Sequence, residues 1–428
     1  MQAAVELIED RAVRKVSRHL IWFLVILYAF SYLDRINVGF AALSMNRDLR
    51  LTATQFGAAN TIFYLGYILC EIPSNLMMAR FGARIWLPRI LITWGIASAA
   101  TMFATSATSL YSIRALVGLA EGGFLPGVLL YLTLWFPEAH RAKANALFMI
   151  AQPLTIAFGA PLSGLILDRH SAFGIAAWRW LFLVEGLPSA ILGIVAFFYL
   201  TNKPEDAKWL TQDEKDALAR RLEQERGPAR GPRTPWREML SREIVLLSIA
   251  YFGIVMTLNT IVTWTPQIVR EIIKQHSLST VGLLTALPAL ITVLVMPFWS
   301  AHSDRRRERS WHIVAPMALA ALGWILVASF SLADLRMLGL TFCSVGGFAA
   351  MSVLWAVPQA MLSPAARPAG IAFISSCGIL ASIATPLLIG FLRDLTHSFV
   401  SGLFFLALVL IGASVLVISA VRSRVSPA

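Results

Sequence analysis

Charged side chains are scarce in this sequence. They make up 14% of the 428 residues, whereas ordinary soluble domains carry roughly a quarter. Hydrophobic residues make up 57%, and the mean hydropathy is +0.69. A soluble fold cannot bury that much apolar surface. The scarcity of charge therefore excludes an ordinary soluble domain and favours a protein embedded in a membrane.

Cysteine is also rare. The three cysteines, Cys70, Cys343 and Cys377, all lie inside apolar runs, which excludes a disulfide framework and a metal cluster. The seven histidines lie at the ends of these runs or between them, and none has ligand spacing with a cysteine or an aspartate. We therefore expect free thiols, no metal site and no cofactor.

Basic residues outnumber acidic ones and give a formal charge of +12, but they form no stripe with interleaved aromatics. Nucleic acid is therefore not an expected partner. The first nineteen residues are polar and include Arg11, Arg14, Lys15 and Arg18. The apolar run that follows them is too long for a cleavable signal peptide, so we expect the first helix to remain in the mature protein.

Twelve apolar runs follow one another, each close to the length of about 20 residues that a helix needs to cross a bilayer. Their predicted bounds are Leu20–Phe40, Thr54–Ala79, Ile85–Thr105, Leu110–Phe136, Ala144–Leu167, Trp180–Leu200, Ile244–Val269, Val281–Ala301, Ile313–Leu332, Leu335–Leu362, Gly370–Leu392 and Phe399–Val421. The pattern predicts an all-α membrane protein with two six-helix bundles, residues 1–201 and 244–428, joined by a polar linker, residues 202–243.

The distribution of Lys and Arg predicts the orientation, because cytoplasmic loops retain basic residues. If both termini and the linker share one face, that face holds 26 of the 36 basic residues and the opposite face holds eight. Arg35 and Arg114 lie within apolar runs and complete the count. We therefore expect a multi-pass protein of the inner (plasma) membrane, with the termini and the linker in the cytoplasm.

The two halves resemble each other. "NLMMARFGAR" follows the second run and "SAHSDRRRER" follows the eighth, so that Arg80 and Arg305 correspond at an offset of 225 residues. The same offset carries Pro161 in "GAPLSGLILD" onto Pro386 in "ATPLLIGFLRD". One offset that serves two distant sites indicates a six-plus-six duplication. Bundles of this kind rock about a site at the bilayer midplane.

Ionisable residues inside the apolar runs are few, and all lie in the N-terminal half. They are Asp34, Arg35, Glu71, Arg114, Glu121 and Glu185. A charge at the bilayer centre costs at least ~2.5 kcal/mol on insertion scales, so each of these residues is a candidate for function. We expect Glu185 to be a structural partner. For Glu71, a gating role and a structural role are both open.

Arg114, Gly118 and Glu121 share one face of the fourth helix, and Gly118, Gly122 and Gly123 would let a neighbouring backbone approach closely. Arg35 lies at a depth similar to that of Arg114, so the two guanidinium groups could clamp one carboxylate. We expect Asp34 and Glu121 to lie near these arginines and to bind the coupling protons. The alternative is a buried ionic network that only fixes helix packing.

Neutral side chains offer further candidates for substrate contact. Tyr67 lies in a polar stripe of the second helix, and Gln152 lies at mid-membrane depth in the fifth. Trp355 in the tenth helix and Ser375 in the eleventh suit recognition of a ring or of hydroxyl groups. Packing is the alternative role for each of these residues.

Five stretches together resemble the major facilitator superfamily and, within it, the anion:cation symporter family of tartrate, galactonate, hexuronate, phthalate and hydroxyphenylacetate permeases. They are "YLDRINVGFAALSMNRDL", "GYILCEIPSNLMMARFGAR", "RALVGLAEGGFLPGVLLYLTLWFP", "WRWLFLVEGLPS" and "HSDRRRERSWH". The resemblance implies proton coupling and anion binding at Asp34, Arg35, Arg114 and Glu121, with Tyr32, Tyr67 and Gln152 around the substrate. Glu71 and the two loop motifs would form the gate, through Arg80, Arg84, Asp304 and Arg305.

Two positions depart from the pattern of this family. Ala79 stands where the loop motif usually carries an acid, which puts the strength of the gate in doubt. The eleventh helix has "ISSCGIL" where asparagines are frequent. The contribution of the C-terminal half to substrate binding is therefore open.

These observations predict a monomeric secondary transporter that imports a small organic anion with protons. A sugar acid, a dicarboxylate and an aromatic carboxylate are all open as substrates. A proton-coupled exporter is the alternative, because "GAPLSG" resembles the Gly-Pro pattern of drug exporters, although Gly159 and Pro161 are not adjacent. A transporter-like sensor would usually add a signalling domain. An enzyme would need a nucleophile with a base, or a metal cluster, at membrane depth, and the sequence offers neither.

Overall fold

The computed structural model describes residues 2–169, 174–226, 241–274, 276–362 and 367–422. Within these ranges twelve helices are long and apolar enough to cross a membrane, which confirms the predicted number and the all-α class. They are α1 Leu7–Asp48, α2 Ala53–Phe81, α3 Ala83–Phe103, α4 Ala107–Thr133, α5 Leu147–Asp168, α6 Ala177–Tyr199, α7 Arg242–Ile272, α8 Leu278–Arg306, α9 Ser310–Ser329, α10 Ala333–Pro358, α11 Gly370–Thr396 and α12 Val400–Ile418.

The first helix is longer than the apolar run that predicts it. It is continuous from Leu7, with one π-helical turn at Ser17–Ile21, whereas the prediction began at Leu20. Hydropathy marks only the part of a helix that lies in hydrocarbon, and the polar residues before it keep helical backbone geometry. The predicted start of the first helix, Leu20, was therefore wrong, because the helix extends beyond the apolar run toward the N-terminus.

The linker contains a helix, Gln212–Arg226, which packs against the N-terminal part of α1. Lys15 Nζ lies 2.8 Å from Glu214 Oε2. Burial acts to raise the pKa of Glu214, but the Lys15 ammonium and the backbone N–H of Thr211 hold it below its usual value. The end of the molecule that carries the N-terminus and this helix is called the linker face below, and the other end is called the opposite face.

The two bundles meet along α1 and α7, α2 and α11, and α5 and α8. Phe56 of α2 packs edge-on against Trp264 of α7, with ring centroids 5.2 Å apart. Toward the opposite face the backbones themselves touch. A Cβ atom at Gly57 would lie 2.2 Å from the carbonyl oxygen of Pro386, and one at Gly282 would lie 2.4 Å from that of Ala160. The bundles are therefore closed against each other on the opposite face.

Candidate functional site

An ion pair between α1 and α4 lies at the centre of the N-terminal bundle. Arg35 donates to Glu121 Oε1 from Nη2 at 2.5 Å and from Nε at 3.0 Å. The Glu121 side chain is 1% exposed and the Arg35 side chain is 18% exposed, so the carboxylate is the more deeply buried partner. Glu121 Oε2 has no hydrogen-bond partner in the described part of the chain.

Arg114 lies near this pair but forms no ion pair with any of the described residues. Its guanidinium group stacks over the ring of Phe63, 4.4 Å from the centroid, and Nη2 donates to Asn60 Oδ1 at 3.3 Å. Arg114 is 4% exposed, and its Nε finds no acceptor among the described residues. Arg114 therefore keeps donor capacity for an anion.

Glycines set the distance between the helices that carry these charges. A Cβ at Gly118 would lie 2.0 Å from the carbonyl oxygen of Phe63, and one at Gly122 would lie 2.7 Å from that of Tyr67. The close approach of α4 to a neighbouring helix is thus confirmed, and the neighbour is α2. Gly123 has φ of +92° and interrupts α4 directly after Glu121.

Asp34 forms no ion pair with an arginine within the described residues, and its contacts differ from those of Glu121. Its interaction with Arg114 is a longer-range electrostatic one, and its role in proton binding stays a prediction. Its carboxylate accepts hydrogen bonds from Trp94 Nε1 and Ser98 Oγ of α3, both at 2.7 Å. Asn37 of α1 and Ser189 of α6 donate at 3.2 and 3.3 Å. Successive residues of a helix point about 100° apart, so Asp34 faces α3 and α6 while Arg35 faces α4.

Glu185 of α6 is buried in the same bundle. It accepts a hydrogen bond from Ser163 Oγ of α5 at 2.8 Å, and its Oε2 finds no partner in the described residues. It is 1% exposed. This contact ties α5 to α6.

The predicted aromatic and amide residues surround the ion pair unevenly. The ring of Tyr67 lies 5.5 Å from the Arg35 guanidinium carbon. Gln152 of α5 donates to the hydroxyl of Tyr28 at 2.6 Å, and the ring of Tyr28 lies 6.2 Å from that of Tyr32. These side chains form one wall behind the charges.

The candidate residues of the C-terminal bundle are less constrained. Trp355 packs edge-on against Tyr251 of α7, with ring centroids 4.9 Å apart. Ser375 is half-buried on α11. Across the bundle boundary, the hydroxyl of Tyr64 donates to Asn259 Oδ1 at 2.6 Å. Asn259 is therefore a C-terminal residue that the structure joins directly to α2, the helix that also carries Tyr67.

Two aspartates join the bundles at the opposite face. Asp168, at the end of α5, accepts from the backbone N–H groups of Leu278 and Ser279 at 2.7 Å each. Asp394, near the end of α11, accepts from the N–H groups of Ala53 and Thr54 at 3.0 and 2.7 Å, and from the Thr54 hydroxyl at 2.6 Å. Each carboxylate thus caps the first turn of a helix in the other bundle, where the N–H groups lack intrahelical acceptors.

Two carboxyl groups and two arginines thus lie inside the described apolar helices, and the boundary between the bundles is closed at one face. The family model of the Major Facilitator Superfamily matches residues 24–360. The chain belongs to the major facilitator superfamily. This result confirms the resemblance inferred from the sequence motifs.

Curated relatives of this facilitator include a "Putative tartrate transporter" of Agrobacterium vitis, which is 41% identical over 97% of the chain and 92% of the relative. A "Quinolone resistance transporter" of Acinetobacter baumannii is 33% identical over 94% of the chain and 93% of the relative. A solved structure of a bacterial homologue of the lysosomal transporter Spinster superposes with a TM-score of 0.76 at 16% identity, covering 95% of the chain and 98% of that structure.

The predicted gating residues of this facilitator lie toward the linker face, and the contacts seen for them stay within one bundle. Arg84 donates from Nε to the carbonyl oxygen of Phe197 at 3.3 Å, and the Arg80 guanidinium lies 5.5 Å from the ring of Phe81. Asp304 pairs with Arg309 at 2.6 Å. For Arg305 and the Glu71 carboxylate the described residues supply no hydrogen bond. Their role in a gate stays a prediction.

Sequence reasoning missed Phe63, Asp168 and Asp394. Phe63 separates the two arginines, and nothing in a single sequence marks an aromatic ring as a partner for a cation. The aspartates were within reach, because both end the repeated segments "GAPLSGLILD" and "ATPLLIGFLRD" that this facilitator carries in its two halves. A pair of acids that end both copies of a repeated segment, here at an offset of 226 rather than 225 residues, is a signal that could have identified them.

Proposed function

We propose that this protein is a secondary active transporter that imports a small organic anion together with protons by alternating access. The observation that carries this proposal is the pair of Arg35 and Glu121 beside an Arg114 that has no carboxylate partner in the part of the chain that the structure describes. A guanidinium fork matches a carboxylate bidentately, and two such forks at similar depth suit an anionic substrate. The relative named as a putative tartrate transporter supports this class of substrate.

Coupling follows from competition for Arg35. In the empty site the Glu121 carboxylate occupies the donors that a substrate carboxylate needs. Protonation of Glu121 removes its charge, weakens the ion pair and releases these donors. Proton and anion then bind together, and moving each net charge through the membrane potential contributes ~2.3 kcal/mol per 100 mV.

Asp34 has a different part in this proposal. Its four donors come from α1, α3 and α6, so its charge holds α1 to the outer helices of the same bundle. A proton on Asp34 would weaken this attachment without touching Arg35. Two protonatable groups, one at the substrate and one at the helix contacts, permit more than one proton per anion.

The linker face is the cytoplasmic side in this proposal, because it carries most of the basic residues. The bundles 1–201 and 244–428 then rock as two units, and the closed opposite face is the outer gate of an inward-facing state. The membrane is the inner (plasma) membrane, and the unit of transport is a monomer. Alkaline phosphatase fused after Arg226 should be inactive, and activity from this fusion would reverse the orientation.

Transport assays on the purified protein in proteoliposomes test the activity. We expect counterflow of at least one compound from a panel of sugar acids, dicarboxylates and aromatic carboxylates. A pH gradient, acidic on the side from which the anion enters, should drive its accumulation. Absence of counterflow for every carboxylate, with a liposome marker showing correct insertion, would contradict the proposal.

Proton-coupled export is the second candidate, and the relative named as a quinolone resistance transporter favours it. The two candidates differ in the sign of the coupling. Symport requires the proton and the anion to move in the same direction, whereas antiport requires opposite directions. Accumulation driven by acid inside the vesicles, with none driven by acid outside, would select the exporter.

A further inference from the structure

A cavity of about 630 Å³ opens on the opposite face between the two bundles. The ends of α1 and α2 line one side of it, and the ends of α7 and α11 line the other. Its basic lining residues are Arg47, Arg50, Arg270, Arg393 and His397. The opposite face carries eight Lys and Arg residues in all, so half of them surround this one cavity.

The two acids of the lining are already engaged. Asp394 accepts three hydrogen bonds from Ala53 and Thr54 at the start of α2. Glu271 accepts from Arg393 Nη2 at 3.1 Å. Neither carboxylate forms a direct ion pair with Arg47, Arg50 or Arg270 in the described residues, and four arginines against two carboxylates leave the lining with a net charge of +2 when His397 is neutral.

The remaining basic groups keep free donors. Arg50 is exposed and makes no ion pair within the described ranges, and Arg270 donates to the backbone carbonyl of His276. Arg47 is 86% exposed and reaches Asp48 only at 3.9 Å. Three guanidinium groups thus face one cavity without a close carboxylate, and a concave site of one sign concentrates ions of the other sign.

Gln267 is a buried polar side chain in the lining of the cavity. It lines the cavity, is 6% exposed, and accepts from Arg393 Nη1 through Oε1 at 2.6 Å. Because a guanidinium group can only donate, this bond fixes which end of the amide faces Arg393. The amide Nε2 is then a buried donor, and it has no acceptor in the described part of the chain. Buried donors are normally satisfied, and this one has no exposed surface of its own, so an anion in the cavity would reach it only after the amide moves.

We propose that this cavity is a second anion site, which holds a small carboxylate at the opposite face while that face is closed. The choice of a carboxylate rests on the proposed function, whereas the anion site itself rests on the four arginines that line the cavity. Arg47 and Arg50 belong to the N-terminal bundle, and Gln267, Arg270 and Arg393 belong to the C-terminal bundle. Rocking the bundles apart would dismantle the site. An anion that binds there therefore stabilises the closed face.

The site is distinct from the central one. Along α1, Ala42 and Asn46 of the cavity lie seven and eleven residues beyond Arg35, which corresponds to roughly 10 to 16 Å at 1.5 Å per residue. Each site can thus be removed without touching the residues of the other.

The test measures calorimetric binding of sodium tartrate to the full-length protein in detergent. The starting protein carries Arg35→Lys and Arg114→Lys, which impair the central site. We expect this protein to bind tartrate saturably at one site. Adding Arg50→Gln and Arg270→Gln should weaken that binding at least about tenfold. The matched control, Arg220→Gln on the exposed face of the linker helix, should leave the affinity unchanged.

Two results would overturn the proposal. The first is no tartrate binding by the central-site variant that still elutes as a monodisperse peak and melts cooperatively. The second is unchanged affinity after Arg50→Gln and Arg270→Gln. If this quadruple variant fails to fold, Arg47→Gln with Arg50→Gln replaces it, because both residues are exposed. Chloride at equal ionic strength should give no saturable heat, and an equal response to chloride would reject the carboxylate.

This experiment separates the second site from the proposed transport function. Tartrate binding that depends on Arg50 and Arg270, in a protein that transports no carboxylate, would retain the site and reject the transport proposal. Carboxylate transport by a protein without this binding would retain the transport proposal and reject the second site.

Discussion

Arg35 and Arg114 have equivalent roles in the sequence interpretation, but the structure gives them different partners. Arg35 is neutralised by Glu121, whereas Arg114 lies over the ring of Phe63 and pairs with no carboxylate among the described residues. An incoming anion therefore meets one free guanidinium group and one that is engaged. Arg114 is the better candidate for the first contact with a substrate.

Replacing Arg114 with lysine tests this order. Arg114→Lys keeps the charge but loses the planar fork and the stacking on Phe63, so we expect the affinity for the transported anion to fall at least about tenfold. Counterflow at a series of substrate concentrations measures the change. Arg89→Lys is the matched control, because Arg89 also stacks on a ring, that of Trp86 at 4.1 Å, outside the site. Equal affinities in wild type and Arg114→Lys would contradict the assignment.

Glu121 should be the residue at which pH controls binding. In Glu121→Gln the side chain is neutral at every pH and no longer holds Arg35, so we expect anion binding to lose most of its pH dependence. Accumulation driven by a pH gradient should be abolished or strongly reduced, while exchange at equal pH is retained. Asp34→Asn should also weaken driven uptake, yet keep the pH dependence of binding. Full gradient-driven uptake by both variants would mean that the coupling protons bind to other residues, and Glu71 would be the next to test.

At this scale the sequence predicted which residues matter better than it predicted their contacts. Rarity of charge in apolar helices is enough to select Asp34, Arg35, Arg114 and Glu121. The rotation of each side chain about its helix decides what it touches. The neighbours of Asp34 come from two other helices whose order around α1 a single sequence does not encode.

Close packing of α4 against α2 positions the two charged residues of α4, Arg114 and Glu121. The two helices touch through backbone atoms at Gly66, Gly118 and Gly122, where a Cβ atom would lie 2.7, 2.0 and 2.7 Å from a carbonyl oxygen of the other helix. Without a hydrophobic driving force between helices in lipid, such close packing is a main source of association. The position of Arg114 and Glu121 therefore depends on these glycines.

Gly118→Ala should push α2 and α4 apart. The added methyl group meets a rigid carbonyl, so we expect a destabilisation of about 1–3 kcal/mol, a lower melting temperature and weaker anion binding. Gly412→Ala on α12 is the matched control, since nothing lies within 4 Å of a Cβ at that position. Thermal unfolding of both purified variants gives the comparison. A Gly118→Ala protein as stable as Gly412→Ala would show that the contact is not close.

The helices were predictable because their length in hydrocarbon is fixed by the bilayer. What hydropathy could not predict is where a helix continues into water, as α1 does before Leu20, or where it is interrupted, as α4 is at Gly122 and Gly123. Continuation depends on contacts such as that between Lys15 and Glu214. Interruption depends on backbone conformation, which glycine permits but does not require.

Across the whole molecule, the repeat found in the sequence reappears as paired contacts. Gly57 touches Pro386, and Gly282 touches Ala160 and Pro161, so the residues related by the offset of 225 meet in crosswise pairs. Asp168 and Asp394 cap the starts of α8 and α2 in the same crosswise way. The two bundles therefore close on each other through two similar contacts, one on each side of the boundary.

Removing one cap should favour opening of the opposite face. Asp168→Asn loses a charged acceptor for two N–H groups, which corresponds to about 0.5–2 kcal/mol for a helix cap and up to roughly thirtyfold in the open population. The readout is labelling of Thr285→Cys by a membrane-impermeant maleimide, in a protein without Cys70, Cys343 and Cys377. Thr285 is 5% exposed and lies one turn after Gly282, inside the closed contact.

Labelling at Thr285→Cys should be faster in Asp168→Asn than in the parent protein. Asp334→Asn is the matched control, because Asp334 is exposed in the first turn of α10 and contributes no hydrogen bond between the bundles in the described residues. Equal labelling rates in the parent protein and Asp168→Asn would mean that this cap does not hold the face closed.

The two aspartate caps hold the bundles together at two separate places on the opposite face. Asp394 lies on the boundary between α2 and α11, while Thr285 reports on the boundary between α5 and α8. If each bundle moves as a rigid body, removing the distant cap with Asp394→Asn should speed labelling at Thr285→Cys about as much as removing the near cap with Asp168→Asn. If the helices of a bundle move independently, Asp394→Asn leaves the labelling rate at Thr285→Cys unchanged. The comparison of Asp168→Asn with Asp394→Asn thus reports the rigidity of each half of the transporter.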